Sequence, residues 1–330
     1  MNSSADRAGE FELIARLFAP LAQSAPGAFG LTDDAAVFAP SPGHELVLKT
    51  DAIVEGVHFF RDDPPAAIAQ KALRVNLSDL AAKGAVPAGY LMALLLPDWP
   101  DMAWLEAFAR GLAEDQARFG LSLMGGDTSA TPGPLAIAIS AFGIVPKGAM
   151  IRRAGARPGD VVFVSGSIGD AGAGLALLKG EGGDLAATDR AMLIARYRIP
   201  LPNLALGLSL RGIATAALDV SDGLIADLGH VAAASGVRIL VDAPRIPLSA
   251  PLRALWGDGL PARTRAATVG DDYEIAFTAP PEKREVVFGA GQRAGIAVSE
   301  IGRVVEGEGV ALLDGSGREI SLPHKGFVHF

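Results

Sequence analysis

The feature that most constrains this chain is a tight acidic turn between a strand and a helix, Ala217-Leu218-Asp219-Val220-Ser221-Asp222-Gly223-Leu224. In front of it, Gly212-Ile213-Ala214-Thr215-Ala216 is short and apolar enough for a buried strand. Behind it, Leu224, Ile225, Leu228, Val231 and Ala232 recur at the spacing of one helical face. Asp219 and Asp222 flank Ser221, so three oxygen-bearing side chains can point into one small volume at the strand's end. Two readings fit this turn. Hard divalent cations such as Mg²⁺ require clustered oxygens, and Asp and Ser are equally the usual N-caps of helices.

Repetition favours the metal. Acids stand at the ends of apolar segments along the whole chain: Asp33-Asp34 before Ala35–Phe38, Asp51 after Leu46–Thr50, Asp79 within Asn76-Leu77-Ser78-Asp79-Leu80, Asp127 after Leu123-Met124-Gly125-Gly126, and Asp271-Asp272 before Tyr273-Glu274-Ile275. Buried carboxylates are costly unless paired or metal-bound. If these converge, several cations hold them ionised together, and a polyphosphate is the natural ligand.

Length and composition set the frame. The 330 residues suffice for two domains, each with its own core. Half the residues are hydrophobic, 20% are charged and the mean hydropathy is +0.32, values of a globular chain. The net charge of −8 disfavours nucleic acid or an anionic membrane as partner, but not a phosphate ligand whose charge is met by metals. The absence of cysteine excludes disulfides, thiol nucleophiles, iron–sulfur clusters and cysteine-type zinc sites. Five scattered histidines disfavour a zinc centre. No signal-peptide pattern opens the sequence and no apolar run is long enough to span a bilayer, so a cytoplasmic protein is expected.

Taken in order, residues 10–22 read as a helix with Phe11, Ile14, Phe18 and Leu21 on one face. Leu46–Thr50 reads as a strand followed by Glu55-Gly56-Val57-His58-Phe59-Phe60; a lone histidine in such a loop is commonly packing or surface. A helix is expected from Pro65 to Lys83, closed by Gly84. Ala88–Leu96 is an almost unbroken apolar strand, implying cover on both faces. An amphipathic helix is expected over 101–118. Gly125-Gly126-Asp127-Thr128 reads as a phosphate-approaching loop, as a hairpin turn, or as both. The polar break around Lys147-Gly148 and Arg152-Arg153 places a domain boundary near 149, giving domains 1–149 and 150–330. Gly166–Gly174 lacks Walker spacing, and its glycines fit close packing of helix on strand. Helices near 188–197, 202–212 and 282–294 and strands near 237–242, 275–277, 297–304 and 310–313 complete an α/β chain.

The constellation resembles thiamine-monophosphate kinase, within the superfamily typified by aminoimidazole ribonucleotide synthetase. The resemblance is carried nearly end to end by Gly9-Glu10-Phe11-Glu12-Leu13-Ile14, Asp33-Asp34-Ala35, Thr50-Asp51, Gly56-Val57-His58-Phe59, Asn76-Leu77-Ser78-Asp79-Leu80, Gly125-Gly126-Asp127-Thr128, Asp219-Val220-Ser221-Asp222-Gly223 and Asp272-Tyr273-Glu274. It implies a two-domain α/β fold with mixed sheets, ATP-dependent phosphorylation of thiamine monophosphate to thiamine diphosphate, several Mg²⁺ ions and a homodimer. It also implies that Asp34, Thr50, Asp51, Asp79, Asp127, Asp219 and Asp222 form the metal set, with Lys49 giving at most its carbonyl. Gly126, Asp127, Arg153 and Ser221 would touch the nucleotide, and His58, Asp271 and Phe327 the substrate; Asp127, Asp222 and Arg153 would act on the transferring group. The family pattern has Gly where this chain has Thr32, and Glu where it has Asp271.

The chemistry fits such a reaction. Phosphoryl transfer needs positioning and charge neutralisation more than covalent help. An acceptor phosphate with a second pKa of about 6 is already anionic near neutral pH, so no general base is required. A carboxylate at Asp271 and a ring at Phe327 suit a flat cationic ligand. Selenophosphate synthetase and the hydrogenase-maturation relative depend on cysteine or selenocysteine, which this chain lacks. The remaining alternatives are another ATP-using superfamily enzyme such as aminoimidazole ribonucleotide synthetase, or a non-catalytic nucleotide-binding regulator.

Overall fold

The structure, a computed structural model, describes residues 10–324, 326 and 327. Gly9 and the tail residues Lys325 and Val328–Phe330 lie outside the described residues. Two compact units form: residues 1–76 with 87–144, and residues 77–86 with 145–330. The segment 77–86, which the sequence reading places in the first domain, belongs to the second unit.

The first unit is built on a four-stranded sheet, ordered β1 (His44–Val54), β4 (Ala136–Pro146), β2 (Val86–Leu96) and β3 (Ser122–Ala130). The last two are parallel, with a bulge between Tyr90 and Leu91. Helix α2 (Pro65–Ala82) is apolar around most of its circumference and is correspondingly buried. Helix α3 (Met102–Phe119) starts where Asp101 accepts the Trp104 N–H at 2.8 Å and ends at Gly120 in the left-handed conformation. The two helices are bolted together inside the protein. Arg74 donates from Nε and Nη2 to the two Asp115 oxygens, each at 2.7 Å.

The N-terminal segment differs from the expected helix. Only α1 (Glu10–Leu13) is α-helical; a π turn (Ile14–Phe18) and a 3₁₀ turn (Ala19–Ala22) follow. A change of turn type shifts the angular phase of the side chains, so Phe18 and Leu21 are buried while Phe11 is 84% exposed. The Gly125-Gly126-Asp127-Thr128 stretch is also not a hairpin turn. It lies within β3, in register with Leu91–Leu94 of β2, and a Cβ on Gly126 would sit 1.9 Å from the Met92 carbonyl oxygen. Glycine serves here to let two strands approach, which overrides its usual meaning as a turn signal. Nor is β2 covered on both faces, since Leu91 and Leu95 remain exposed.

The second unit carries a six-stranded mixed sheet: β10 (Gly309–Leu313), β7 (Arg238–Asp242), β9 (Val298–Val305), β5 (Val161–Ser165), β8 (Ile275–Ala279) and β6 (Ala216–Asp219). The pairs are antiparallel except β10–β7. Alternation sorts the side chains into two cores. Val162, Val164, Leu218 and Ala276 join Leu224, Ile225, Leu228 and Val231 of α7 (Leu224–Ser235). Phe163, Ala217, Ile275 and Phe277 join Leu206 of α6 (Leu204–Ser209), Val287 and Ala290 of α8 (Arg284–Ala294), and Ala81 and Ala82 from the end of α2.

The strand before the acidic turn begins at Ala216, four residues later than expected. Gly212 has φ +69°, and the N–H groups of Ile213 and Ala214 both return to the Leu210 carbonyl, so that stretch is a turn. The glycines of 166–174 serve packing, as anticipated. A Cβ on Gly174 of α4 (Asp170–Leu178) would meet the Leu193 carbonyl of α5 (Ala187–Arg198) at 2.1 Å.

Candidate functional site

In the first unit a cavity of about 1010 Å³ is lined by Asp33, Asp34, Gly126 and Asp127, with an apolar wall that includes Phe18, Leu31 and Met124. Asp34, Gly126 and Asp127, three of the residues expected to hold metal or nucleotide, thereby share one space. The approach to Asp34 is conformationally unusual: Phe29 and Leu31 have φ +50° and +58°, and Thr32 closes the bend by donating to the Phe29 carbonyl at 2.8 Å. Asp34 and Asp127 are both exposed, and Asp127 accepts the Ser129 hydroxyl at 3.0 Å.

On β1, Asp51 and Thr50 point to opposite faces, because strand side chains alternate. Lys49 Nζ lies 3.1 Å from Asp51 Oδ1. The Thr50 hydroxyl donates to the Ile139 carbonyl at 3.2 Å and accepts the Ser140 hydroxyl at 3.0 Å. His58 sits in the following loop, where its Nδ1 accepts the Val54 N–H at 3.1 Å. A nitrogen that accepts carries no proton, so in the neutral ring the N–H is on Nε2. Lys71, buried in α2, donates to the His58 carbonyl at 2.8 Å and anchors that loop.

In the second unit the acidic turn is woven into its neighbours by main-chain bonds. Val220 N–H donates to the Glu274 carbonyl, Tyr273 N–H to Val220 and Asp271 N–H to Ser221, each at 2.8 Å. Phe327 N–H donates to the Asp222 carbonyl at 2.9 Å. Gly270 permits the approach, since a Cβ there would lie 2.4 Å from the Ser221 carbonyl oxygen. Ser221, Asp222, Asp271 and Phe327 are therefore assembled together, with Asp219 buried at the end of β6. Asp79, on the part of α2 belonging to this unit, adjoins Ser78, whose hydroxyl donates to the Tyr273 carbonyl at 3.4 Å. Arg153 is exposed; it is joined to α7 where its carbonyl accepts the Ser235 hydroxyl at 3.4 Å.

Asp227 escaped the sequence reading. Its Oδ2 accepts the N–H groups of Ser221, Asp222 and Gly223 at 2.9, 3.0 and 3.1 Å, capping α7 from inside its first turn. Burial, reinforced by the Asp222 charge, pushes its pKa up to about 7 against the pull of those N–H groups. Asp222, Asp227 and His230 present ligand atoms within 4.8 Å of one another. The available signal was an acid in the first helical turn, where the helix dipole favours negative charge.

Among solved structures, a thiamine-monophosphate kinase from Stenotrophomonas maltophilia matches with TM-score 0.80 and 40% identity, over 88% of this chain and 91% of that one. AaThiL complexed with AMPPCP and TMP matches with TM-score 0.77 and 31% identity, over 99% and 100% of the two chains. The thiamine-monophosphate kinase of Caulobacter vibrioides is 48% identical over 97% of this chain and 90% of its own length. Residues 32–145 match the AIR synthase related protein N-terminal domain and residues 157–315 the corresponding C-terminal domain. Matched by both AIR synthase related domain models and 48% identical to a thiamine-monophosphate kinase over 97% of its length, the chain belongs to the thiamine-monophosphate kinase family of AIR synthase related proteins.

Proposed function

We propose that this chain transfers the γ-phosphoryl group of ATP in line onto the phosphate of thiamine monophosphate, giving thiamine diphosphate. The observation that carries the reading is the interlocked assembly of Ser221, Asp222, Asp271 and Phe327 in a chain that aligns end to end with AaThiL bound to AMPPCP and TMP. Gly126 and Ser221 supply nucleotide contacts, and Arg153, with Asp127 and Asp222, serves the transferring group. The Asp271 carboxylate and the Phe327 ring, 54% exposed, face a cationic thiazolium–pyrimidine ligand, and His58 offers its Nε2–H. None of these groups has to remove a proton, because the acceptor oxygen is anionic near neutral pH.

The donor set suits Mg²⁺. Asp34, Thr50, Asp51, Asp79, Asp127, Asp219 and Asp222 offer only oxygen, the ligand type hard cations select. The Thr50 hydroxyl is engaged by Ser140 and Ile139, so Thr50, like Lys49, would contribute its main chain. When bound, the ions supply neutralisation of the crowded phosphate charge.

Self-association is the second part of the reading. On β1, Val47 is buried while Leu46 and Leu48 are exposed, Leu48 at 74%, and Leu95 of β2 is exposed as well. Apolar strand surface left open in one chain is the kind of surface a second copy covers. Among the described residues no helix is long and apolar enough to cross a membrane, and we place the enzyme in the cytoplasm, where ATP and Mg²⁺ are at hand.

The test is purified protein with ATP, Mg²⁺ and thiamine monophosphate, assayed for thiamine diphosphate, with sedimentation of wild type and Leu48→Lys alongside. Product formation is expected, together with a dimer that Leu48→Lys dissociates. ATP turnover without thiamine diphosphate would overturn the assignment of acceptor.

A further inference from the structure

The four residues Asp271–Glu274 alternate between two roles. Asp271 and Tyr273 have φ +71° and +53°, left-handed conformations that side-chain-bearing residues seldom adopt and that persist only where the surroundings impose them. Asp272 and Glu274, between and after them, are buried anchors. Asp272 accepts the N–H groups of Gly169 and Ala171 at 2.6 and 3.2 Å, where α4 begins. Glu274 accepts from Ser165 Oγ at 2.5 Å, from Asn203 Nδ2 at 2.6 Å and from Arg196 Nη2 at 2.6 Å. Ser165 Oγ in turn accepts the Ile275 N–H at 2.8 Å, which fixes the first residue of β8.

The charge balance of this clamp is consistent with a rigid purpose. Burial drives the Asp272 pKa well above its ordinary value, only partly opposed by the Gly169 N–H, while the neighbouring Asp170 adds to the rise. Burial alone would lower the Arg196 pKa, but facing Glu274 and Asp272 outweigh it and raise it. Arg196 is thus held charged between two acids. Strain at Asp271 and Tyr273 is sustained by this surrounding lattice, and the strained backbone brings the Tyr273 hydroxyl to Asp271, donating to Oδ1 at 3.2 Å. The residue type suits the backbone at this position, since Asp tolerates the left-handed region better than most residues.

We infer that Tyr273 is a positioning residue: held left-handed by the Asp272–Glu274–Arg196 clamp, its hydroxyl orients the Asp271 carboxylate toward the cationic part of the acceptor. The inference rests on the proposed kinase reading, in which Asp271 meets the substrate. It makes Tyr273 an affinity and selectivity element for the acceptor, without a part in ATP binding or in the transfer step.

The experiment is a double-mutant cycle of Tyr273→Phe and Asp271→Asn in the full chain, with KM for thiamine monophosphate, KM for ATP and kcat measured separately and folding checked by thermal unfolding. Losing one hydrogen bond to a charged group should raise KM for thiamine monophosphate roughly 5- to 20-fold in Tyr273→Phe. KM for ATP and kcat should stay within about twofold, because nothing in the reacting groups has changed. Asp271→Asn should raise the same KM, and the double variant should be no worse than Asp271→Asn, since Tyr273 acts through that carboxylate. An unchanged KM in a folded Tyr273→Phe, a matching rise in KM for ATP, or multiplicative effects in the double variant would each overturn the inference. Failure of the wild type to make thiamine diphosphate is a separate outcome that removes the kinase reading itself. To test the clamp, Arg196→Lys is expected to raise KM for thiamine monophosphate less than Arg196→Met does, and equal effects would remove the clamp from the account.

Discussion

In the first unit, Asp34 and Asp127 stand exposed around a large cavity, and the Asp127 carboxylate accepts the hydroxyl of Ser129, two residues along the chain. In the second, three successive N–H groups of the acidic turn are gathered onto one buried carboxylate, Asp227, and the turn is stitched to Gly270–Glu274 and Phe327. The contrast teaches where preorganisation resides. Exposed carboxylates cost little to fold with and acquire order from what they bind. The buried lattice of the second unit is completed during folding, and it fixes side-chain directions before any ligand arrives.

The largest expected effect tests whether both regions serve one reaction. Asp222→Asn and Asp127→Asn should each lower kcat by roughly 10²–10³-fold, the scale of losing one preorganised electrostatic contact at a transferring group. Steady-state kinetics with thiamine monophosphate check this, and near-normal turnover in either variant would detach that region from the chemistry.

Stability should then separate the two regions. Glu274→Ala leaves Arg196 buried without its closest acid and should cost about 3–5 kcal/mol in urea unfolding. Asp34→Asn removes an exposed charge and should change stability by less than about 0.5 kcal/mol. Comparable losses would erase the contrast.

A subtler distinction lies in pH. Asp227 has a folded pKa of about 7 against an ordinary 3.8, so between those values the folded protein binds more protons than the unfolded chain. For this group stability therefore rises as pH falls from about 7 to about 4, and it is level outside that window. In metal-free protein, the stability of wild type minus that of Asp227→Asn should climb on acidification across that range. A flat difference would mean that Asp227 is not buried as a carboxylate. The smallest effect belongs to Ser129→Ala, which removes the hydroxyl donated to exposed Asp127 and should alter stability by no more than about 0.5 kcal/mol; a larger loss in urea unfolding would show that the first unit is wired more like the second.

Much of this was legible beforehand. The helix carrying Leu224–Ala232 lies where periodicity put it, because burial of one stripe is a local pattern, and the helix carrying Asn76-Leu77-Ser78-Asp79 lies between the Pro65 and Gly84 signals that bounded it. The Asp219–Asp222 turn was legible for the same reason: a short apolar run, small acids and a helical repeat follow one another in sequence. Other signals misled. Glycine in Gly125-Gly126 suggested a turn, yet the partner strand needed the space. An apolar run at Ala88–Leu96 suggested a strand covered on both faces, while within the single chain Leu91 and Leu95 stay exposed and their cover would have to come from a second copy.

The sequence by itself determined the alternation of strand and helix and the order of the acidic motifs, since each depends on residues within a turn or two of one another. Only the tertiary structure decided which acids stay open and which brace. Asp271 and Asp272 are adjacent in the chain, yet one faces Tyr273 in a half-open loop and the other lies buried against Gly169 and Ala171, about a hundred residues away. Nothing in the local pattern separates them. The choice follows from which carboxylate meets N–H donors in a low-dielectric interior, and those donors arrive from distant strands and helices only when the sheet closes.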